Sequence, residues 1–382
     1  MSTILFDPAS RESLHPLNQL KAIADLRMGL LTIKERWGLL LDKEMLVSTV
    51  DYLKPLYAPL TEGEHLCINA AVIPTPALVV AIKGLKQQEV LMYEGVVIAA
   101  NGFLTCNLVD WPAFSAIPFT DGLKVIKYPW QLFQWNAELI RSDFELVTSG
   151  KQSQPAPEGC TLINPGQVFI EEGAVLEHCI INASEGPVYI GPGTLVMDGA
   201  IIRGPFAAAE KAVIKMGAKI YGATTIGPSC TAGGEIKNVI LQGYANKAHD
   251  GYLGDSVIGE WCNIGGGASN SNIKNTASAV MMRDEATGEQ VSAGLKCGLI
   301  MGDHSRIAIN SAINTGTVIG TCCNVFGAGL GSKYYPAFTW GRDEHYELKG
   351  ALRDVGNWMA FKSKVLSATE TSVLAYIYQL PV

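Results

Sequence analysis

Between residues 190 and 325 small aliphatic residues recur at every sixth position. Ile190, Val196, Ile202, Ala208, Ile214, Ile220, Ile226 and Ala232 form an unbroken run. Ile240, Tyr252, Ile258 and Ile264 continue it in a shifted register broken at Asn246, and Ile307, Ile313, Ile319 and Val325 resume it. A hydrophobic period of six fits neither a helix, at 3.6, nor a single strand, at two. It is the mark of a hexapeptide β-solenoid, in which each hexad supplies one short strand and one turn. Gly and small residues between the grid positions (GPGT, MGAK, GGGA) supply turns that need unusual backbone angles or close stacking of coils.

Glycine divides the 382-residue chain: residues 1–150 carry eight of the 40 and residues 151–382 carry 32. Hydrophobic residues make up 48% and charged residues 17%, ample for a core and suited to a solenoid whose faces meet other subunits. A net charge of −7 gives no reason to expect a nucleic-acid partner. No basic-then-apolar leader and no apolar run near the ~18 residues of a membrane span is present, and the nine Cys form no CxxC pair. A cytoplasmic chain with reduced thiols and no membrane partner is expected.

The first 150 residues read as an α/β domain with a mostly parallel sheet. Strands are expected at 3–6, 65–69, 90–92 and 96–98, and helices around 18–28, 43–57, 76–86 and 129–143. Ligands of such sheets sit at the carboxyl ends of the strands, so the loop after Phe6 is the first place to look. It has no Gly before Gly29, and Arg11, Lys21 and Arg27 are its candidate phosphate-gripping side chains. A polar, Pro-containing linker follows at 151–159, then the solenoid at 160–330 with an extruded loop at about 273–300. Residues 331–382 form a tail with two helices, about 346–361 and 367–379, that caps the last coil.

A three-strand coil returns to the same corner roughly every 18 residues, so 249–254 stacks on 267–272. His249 and Tyr252 then lie near the Asn-rich run 268–272, with Lys237 on a neighbouring corner. An imidazole in a polar, Gly-flanked turn is a candidate general base, because its ordinary pKa lies near operating pH. The competing reading is an exposed turn histidine.

GGEIKN (233–238), NKAHDGYLGDSVIGEWCNIGGGASNSNIKN (246–275) and GDHSRIAINSAINTGTVIG (302–320) resemble the left-handed β-helix domain of bacterial N-acetylglucosamine-1-phosphate uridyltransferases. FDPASRESLHPLNQLKAIADLRMGLLTIKERW (6–37) and KYPWQLFQWNAELIRSDFEL (127–146) are similar to the N-terminal domain of a divergent branch of that bifunctional family. The resemblance implies a sugar nucleotidyltransferase-like α/β domain, a left-handed parallel β-helix and a helical cap. It implies acetyl transfer from acetyl-CoA to an amino-sugar 1-phosphate, glucosamine 1-phosphate foremost. It further implies nucleotidyl transfer from UTP or dTTP with Mg²⁺, and a homotrimer. By the same resemblance His249 matches the catalytic base, Lys237 and Tyr252 the sugar-phosphate contacts, Asn263 a sugar contact and Asn272 an acetyl-CoA contact. Lys215 stands where the family has a phosphate-binding Arg, and Arg203 competes for that role. The other function class open to the sequence is a non-catalytic trimeric scaffold or sugar-nucleotide-binding protein.

Overall fold

The computed structural model describes residues 2–104 and 114–380. In the N-terminal domain Ser2–Phe6 lies between Met45–Ser48 and Gly63–Asn69, parallel to both. Val96–Leu104 joins antiparallel to Gly63–Asn69, then Glu89–Tyr93 antiparallel to it, and Ser115–Pro118 closes the edge in parallel. Five of these six strands therefore run the same way and only Val96–Leu104 is reversed, so the sheet is mostly parallel, as expected.

The helices expected at 18–28 and 43–57 are not formed. Residues 7–26 instead carry only single 3₁₀ turns at Ala9–Leu14 and Ile23–Asp25, and a small hairpin pairs Arg27–Met28 with Leu31–Thr32. The helix falls between the two expected positions, as α1 at Ile33–Leu41. Its start is a capping box: the Thr32 hydroxyl accepts from Glu35 N, and the Glu35 carboxylate accepts from Thr32 N. Residues 45–48 form a strand because Met45 and Val47 alternate inward, and that period of two outweighs helix propensity. Helix α2 (Pro76–Lys83) and helix α3 (Trp130–Thr148) lie where expected.

The chain then winds into a parallel β-solenoid of about ten turns that matches a left-handed β-helix. One face stacks Thr161–Ile163, Ile180–Asn182, Ile201–Arg203 and Lys219–Tyr221. A second runs from Val168–Ile170 to Tyr334–Tyr335, and a third from Val175–Leu176 through Asn324–Val325. Two longer strands, Glu235–Leu241 and Tyr252–Ile258, each turn from the first face onto the second.

The unbroken run from Ile190 to Ala232 points inward and is buried throughout. Beyond it the register slips. The turn after Ala232 is only Gly233–Gly234, so the next inward apolar residues include Ile236, Leu241 and Leu253. Ile240 faces the N-terminal domain instead, and Tyr252 faces outward. The shifted grid in the sequence records this shortened turn.

The extruded loop is a hairpin, Met281–Arg283 paired with Gln290–Ser292, and its base folds back: Val280, Met282, Ala293 and Cys297 join the core of the N-terminal domain. Helices α4 (Leu348–Ala360) and α5 (Ala368–Tyr378) pack on the end of the solenoid through Val355, Met359, Val373, Leu374 and Ile377. No helix among the described residues is long and apolar enough to cross a membrane.

Candidate functional site

The solenoid corner that joins its third face to its first carries the site. Successive turns there are Lys215–Ala218, Gly233–Gly234, Ala248–Gly251 and Gly265–Ala268. The turn below His249 is two residues short, and a Cβ at Gly233 would meet Ala248 O at 2.4 Å and Lys215 Cβ at 3.2 Å. The turn above, Gly265–Gly266–Gly267, has no side chains, and a Cβ at Gly266 would meet His249 Cβ at 3.4 Å. His249 is thus exposed between a truncated turn and a bare one. Gly251, with φ of 118°, allows the chain to leave this turn where an L side chain would be strained. Coils stack about 4.8 Å apart, so Lys215, two coils below on the same corner, lies about 10 Å from the His249 level.

Tyr252 starts the first-face strand three residues beyond His249. Its ring lies over Gly254: a Cβ there would fall 2.2 Å from the Tyr252 hydroxyl. That hydroxyl accepts from Asn272 Nδ2 at 3.0 Å. Asn272 Nδ2 also reaches Asp255 Oδ2, and Asp255 Oδ1 accepts from Asn238 Nδ2 at 2.6 Å. Asp255 is buried at a corner with φ of 46°, and this Asn238–Asp255–Asn272 ladder fixes Tyr252. Burial first, then the carboxylates of Asp255 and Glu235, push the Tyr252 phenol up to about 12, so it stays a neutral donor and acceptor. The sequence points to Tyr252 and Asn272 but gives Asp255 and Asn238 no part; one-residue corners that place polar groups 17 residues apart are the signal that was there to find.

Lys237 is exposed on the first face, paired in register with Gly254 above and Tyr221 below, and its ammonium lies 5.9 Å from the Tyr221 ring centroid. Asn263 lies on the other side of the corner, on the third face, where its Oδ1 is 3.5 Å from Asn246 Nδ2. His249, Tyr252, Asn272 and Lys237 therefore share one side, and the single chain does not bring Asn263 to them. Arg203 is farther down the first face and ion-paired with Glu185 at 2.8 Å.

The expected phosphate grip of the N-terminal domain is absent from the geometry. Arg11 is buried, with Nε 3.0 Å from Asp7 Oδ2 and Nη2 on Asn18 O. Lys21 is buried between Glu260 and Asp303 of the solenoid, 3.0 Å from each. Arg27 pairs with Glu35 at 3.3 Å. All three side chains are used in the fold, because the loop after Phe6 docks into the solenoid instead of lying open over the sheet. Gln242 exchanges two hydrogen bonds with the Arg27 backbone, and Thr321 donates to Gln19. Asn136 of α3 ties Gly29 N to Ala223 O and Thr225 Oγ1.

Asp7, at the carboxyl end of the first strand, already accepts from Arg11, Thr49 and Ile23 N. Among the described residues no group of three or more His, Cys, Asp and Glu is placed to hold a metal ion.

Residues 3–152 match the sugar nucleotidyl transferase family. The chain is 25% identical over 191 residues to the "Bifunctional protein GlmU" of Cyanothece sp., covering 44% of this chain and 42% of that protein. It is 28% identical over 205 residues to that of Methanocaldococcus jannaschii, covering 51% and 41%. The match thus spans less than half the length of these curated relatives. The crystal structure of "the polySia specific acetyltransferase NeuO" aligns with a TM-score of 0.29 at 12% identity, over 54% of this chain and 95% of that one, too slight to argue from. A sugar nucleotidyl transferase domain at one end and a hexapeptide solenoid at the other are what this chain shares with these bifunctional GlmU relatives, and they support a divergent GlmU-like branch.

Proposed function

We propose that this protein is a transferase of sugar-nucleotide biosynthesis whose solenoid acetylates an amino-sugar 1-phosphate, glucosamine 1-phosphate foremost, from acetyl-CoA. The observation that carries the proposal is His249, exposed between two turns without side chains and flanked by a braced Tyr252. A scaffold has no use for a buried carboxylate that fixes a phenol three residues from an exposed imidazole.

In this reading His249 takes a proton from the substrate amine as nitrogen attacks the thioester carbonyl. The C–N bond forms, the C–S bond breaks, and the CoA thiolate leaves to be protonated. Tyr252 orients the sugar, and Lys237 and Lys215 receive the phosphate as point charges, without the two-pronged grip of an Arg. Asn272 acts through Tyr252 and Asp255 besides any contact with acetyl-CoA. Asn263 serves a site completed by a neighbouring subunit, and a homotrimer is part of the proposal. Exposed Ile163, Ile180 and Ile201 on the first face and Val175 on the third support it.

The test is thiol release from acetyl-CoA with glucosamine 1-phosphate. His249→Ala should lower kcat about 10²–10⁴-fold with acetyl-CoA affinity retained, and Lys237→Ala should raise KM for the sugar phosphate. Wild-type activity that survives His249→Ala within about twofold makes the imidazole a bystander. Wild type inert with every amino-sugar phosphate leaves the scaffold reading, and sedimentation of a monomer alone removes the shared site.

A further inference from the structure

The inward column of the solenoid's third face reads Leu176, Val196, Ile214, Ala232, Lys247, Ile264, Ile307 and Val325. Seven rungs are apolar and one is a lysine. Lys247 is 1% exposed, in the coil that carries His249. Burial pulls its ammonium down to about 8, against the opposing charge of Asp250. Placing a cation in an aliphatic column is costly, so what its ammonium touches matters. Nζ donates to Gly233 O at 3.2 Å and to His249 O. These carbonyls belong to the truncated turn and to the turn directly above it. The rung paired with Lys247 beneath it is the small Ala232.

We propose that Lys247 is a positioning residue for His249, holding the carbonyls of its turn and of the turn beneath from inside the coil and so fixing the direction in which the imidazole leaves the corner. The proposal rests on the acetyl-transfer reading above. The glycines above offer the His249 turn no side-chain contact; Gly267 N donates to Asp250 O at 2.9 Å, and the carbonyl of His249 itself is held by Lys247 from inside. An aliphatic residue at 247 would continue the column and leave the two carbonyls without their shared donor.

Lys247→Met keeps the length and the apolar packing and removes only the donor. Its melting temperature should equal or exceed that of wild type, since an apolar replacement of a buried ion is commonly neutral or stabilising. Its kcat should fall about 10- to 100-fold, the scale of a reacting group misplaced by an ångström, with both KM values within about twofold. Lys247→Gln, which keeps one donor, should recover part of the rate. Lys247→Met combined with His249→Ala should be no slower than His249→Ala alone, because the lysine acts only through the imidazole. The His249 ring-proton NMR signal, assigned with His249→Gln, should shift in Lys247→Met without any substrate. An unchanged kcat with an unchanged His249 signal, or losses that multiply in the double variant, overturns the proposal. If wild type transfers no acetyl group, the function reading fails by itself, and the His249 signal still decides whether Lys247 sets the imidazole.

Discussion

Gly254→Ala separates the site from the fold that carries it. Gly254 has no positive φ, so alanine is compatible with its backbone, and the nearest atoms its added Cβ would meet belong to Tyr252: the hydroxyl at 2.2 Å, Cζ at 2.5 Å and Cε1 at 2.7 Å. These are the far atoms of a side chain held at its tip by one hydrogen bond, so the ring must break that bond and swing off the strand. The cost is the hydrogen bond from Asn272 Nδ2, worth about 0.5–1.5 kcal/mol. Replacing glycine recovers about 0.4–1 kcal/mol through the unfolded chain. Stability should therefore stay within about 1 kcal/mol of wild type, by urea denaturation. If Tyr252 orients the sugar phosphate, its KM should rise about tenfold, as one lost contact of about 1.4 kcal/mol requires, while KM for acetyl-CoA stays put. Tyr252→Phe, which removes the hydroxyl that Asn272 holds, should raise the same KM by a similar factor. A Gly254→Ala enzyme with wild-type KM for the sugar phosphate refutes the role given to Tyr252, provided its stability is also unchanged.

Within the N-terminal domain α3 is tied to α1: Asp143→Ala leaves Arg36, 2% exposed, without the carboxylate it meets at 2.7 and 2.8 Å, and should cost about 3–5 kcal/mol by denaturant unfolding, whereas a loss under 1 kcal/mol would mean the pair is dispensable. His304 is stacked on Trp261 and pulled down to about 3, by burial first and then by Arg306 and Lys21. Its neutral form is native while the unfolded chain protonates near 6.5, so its stabilisation is whole above that pH and is lost as pH falls from 6.5 towards 3. At pH 5 the loss is about 2 kcal/mol, and His304→Phe should flatten that part of the pH–stability curve relative to wild type. Nucleotidyl transfer by residues 1–150 should be slow or absent, since the loop after Phe6 is docked in the solenoid; robust Mg²⁺-dependent pyrophosphate release from UTP or dTTP with N-acetylglucosamine 1-phosphate would show that the loop undocks.

The sequence by itself determined the solenoid, because stacking is a nearest-neighbour affair. Each hexad must bury one aliphatic residue against the coil above and below, and that requirement is written at every sixth position from Ile190 to Ala232. It also placed His249 on a glycine-flanked turn and brought Tyr252 near the Asn-rich run 268–272, since those relations follow from the coil length. Its errors have a common origin. Helices expected at 18–28 and 43–57 yielded to a loop and a strand because the loop's apolar and charged side chains meet partners more than 200 residues away, such as Lys21 with Glu260 and the Arg27 backbone with Gln242. Only tertiary structure decided that Arg11 and Lys21 are consumed in ion pairs. It also decided that the shortened turn at Gly233–Gly234 turns Ile240 towards the N-terminal domain and Tyr252 outward, and that Lys247 reaches two carbonyls from inside. Period and spacing describe what repeats along the chain; whether a charged side chain meets a ligand, a carboxylate or a backbone carbonyl depends on which distant segment packs against it.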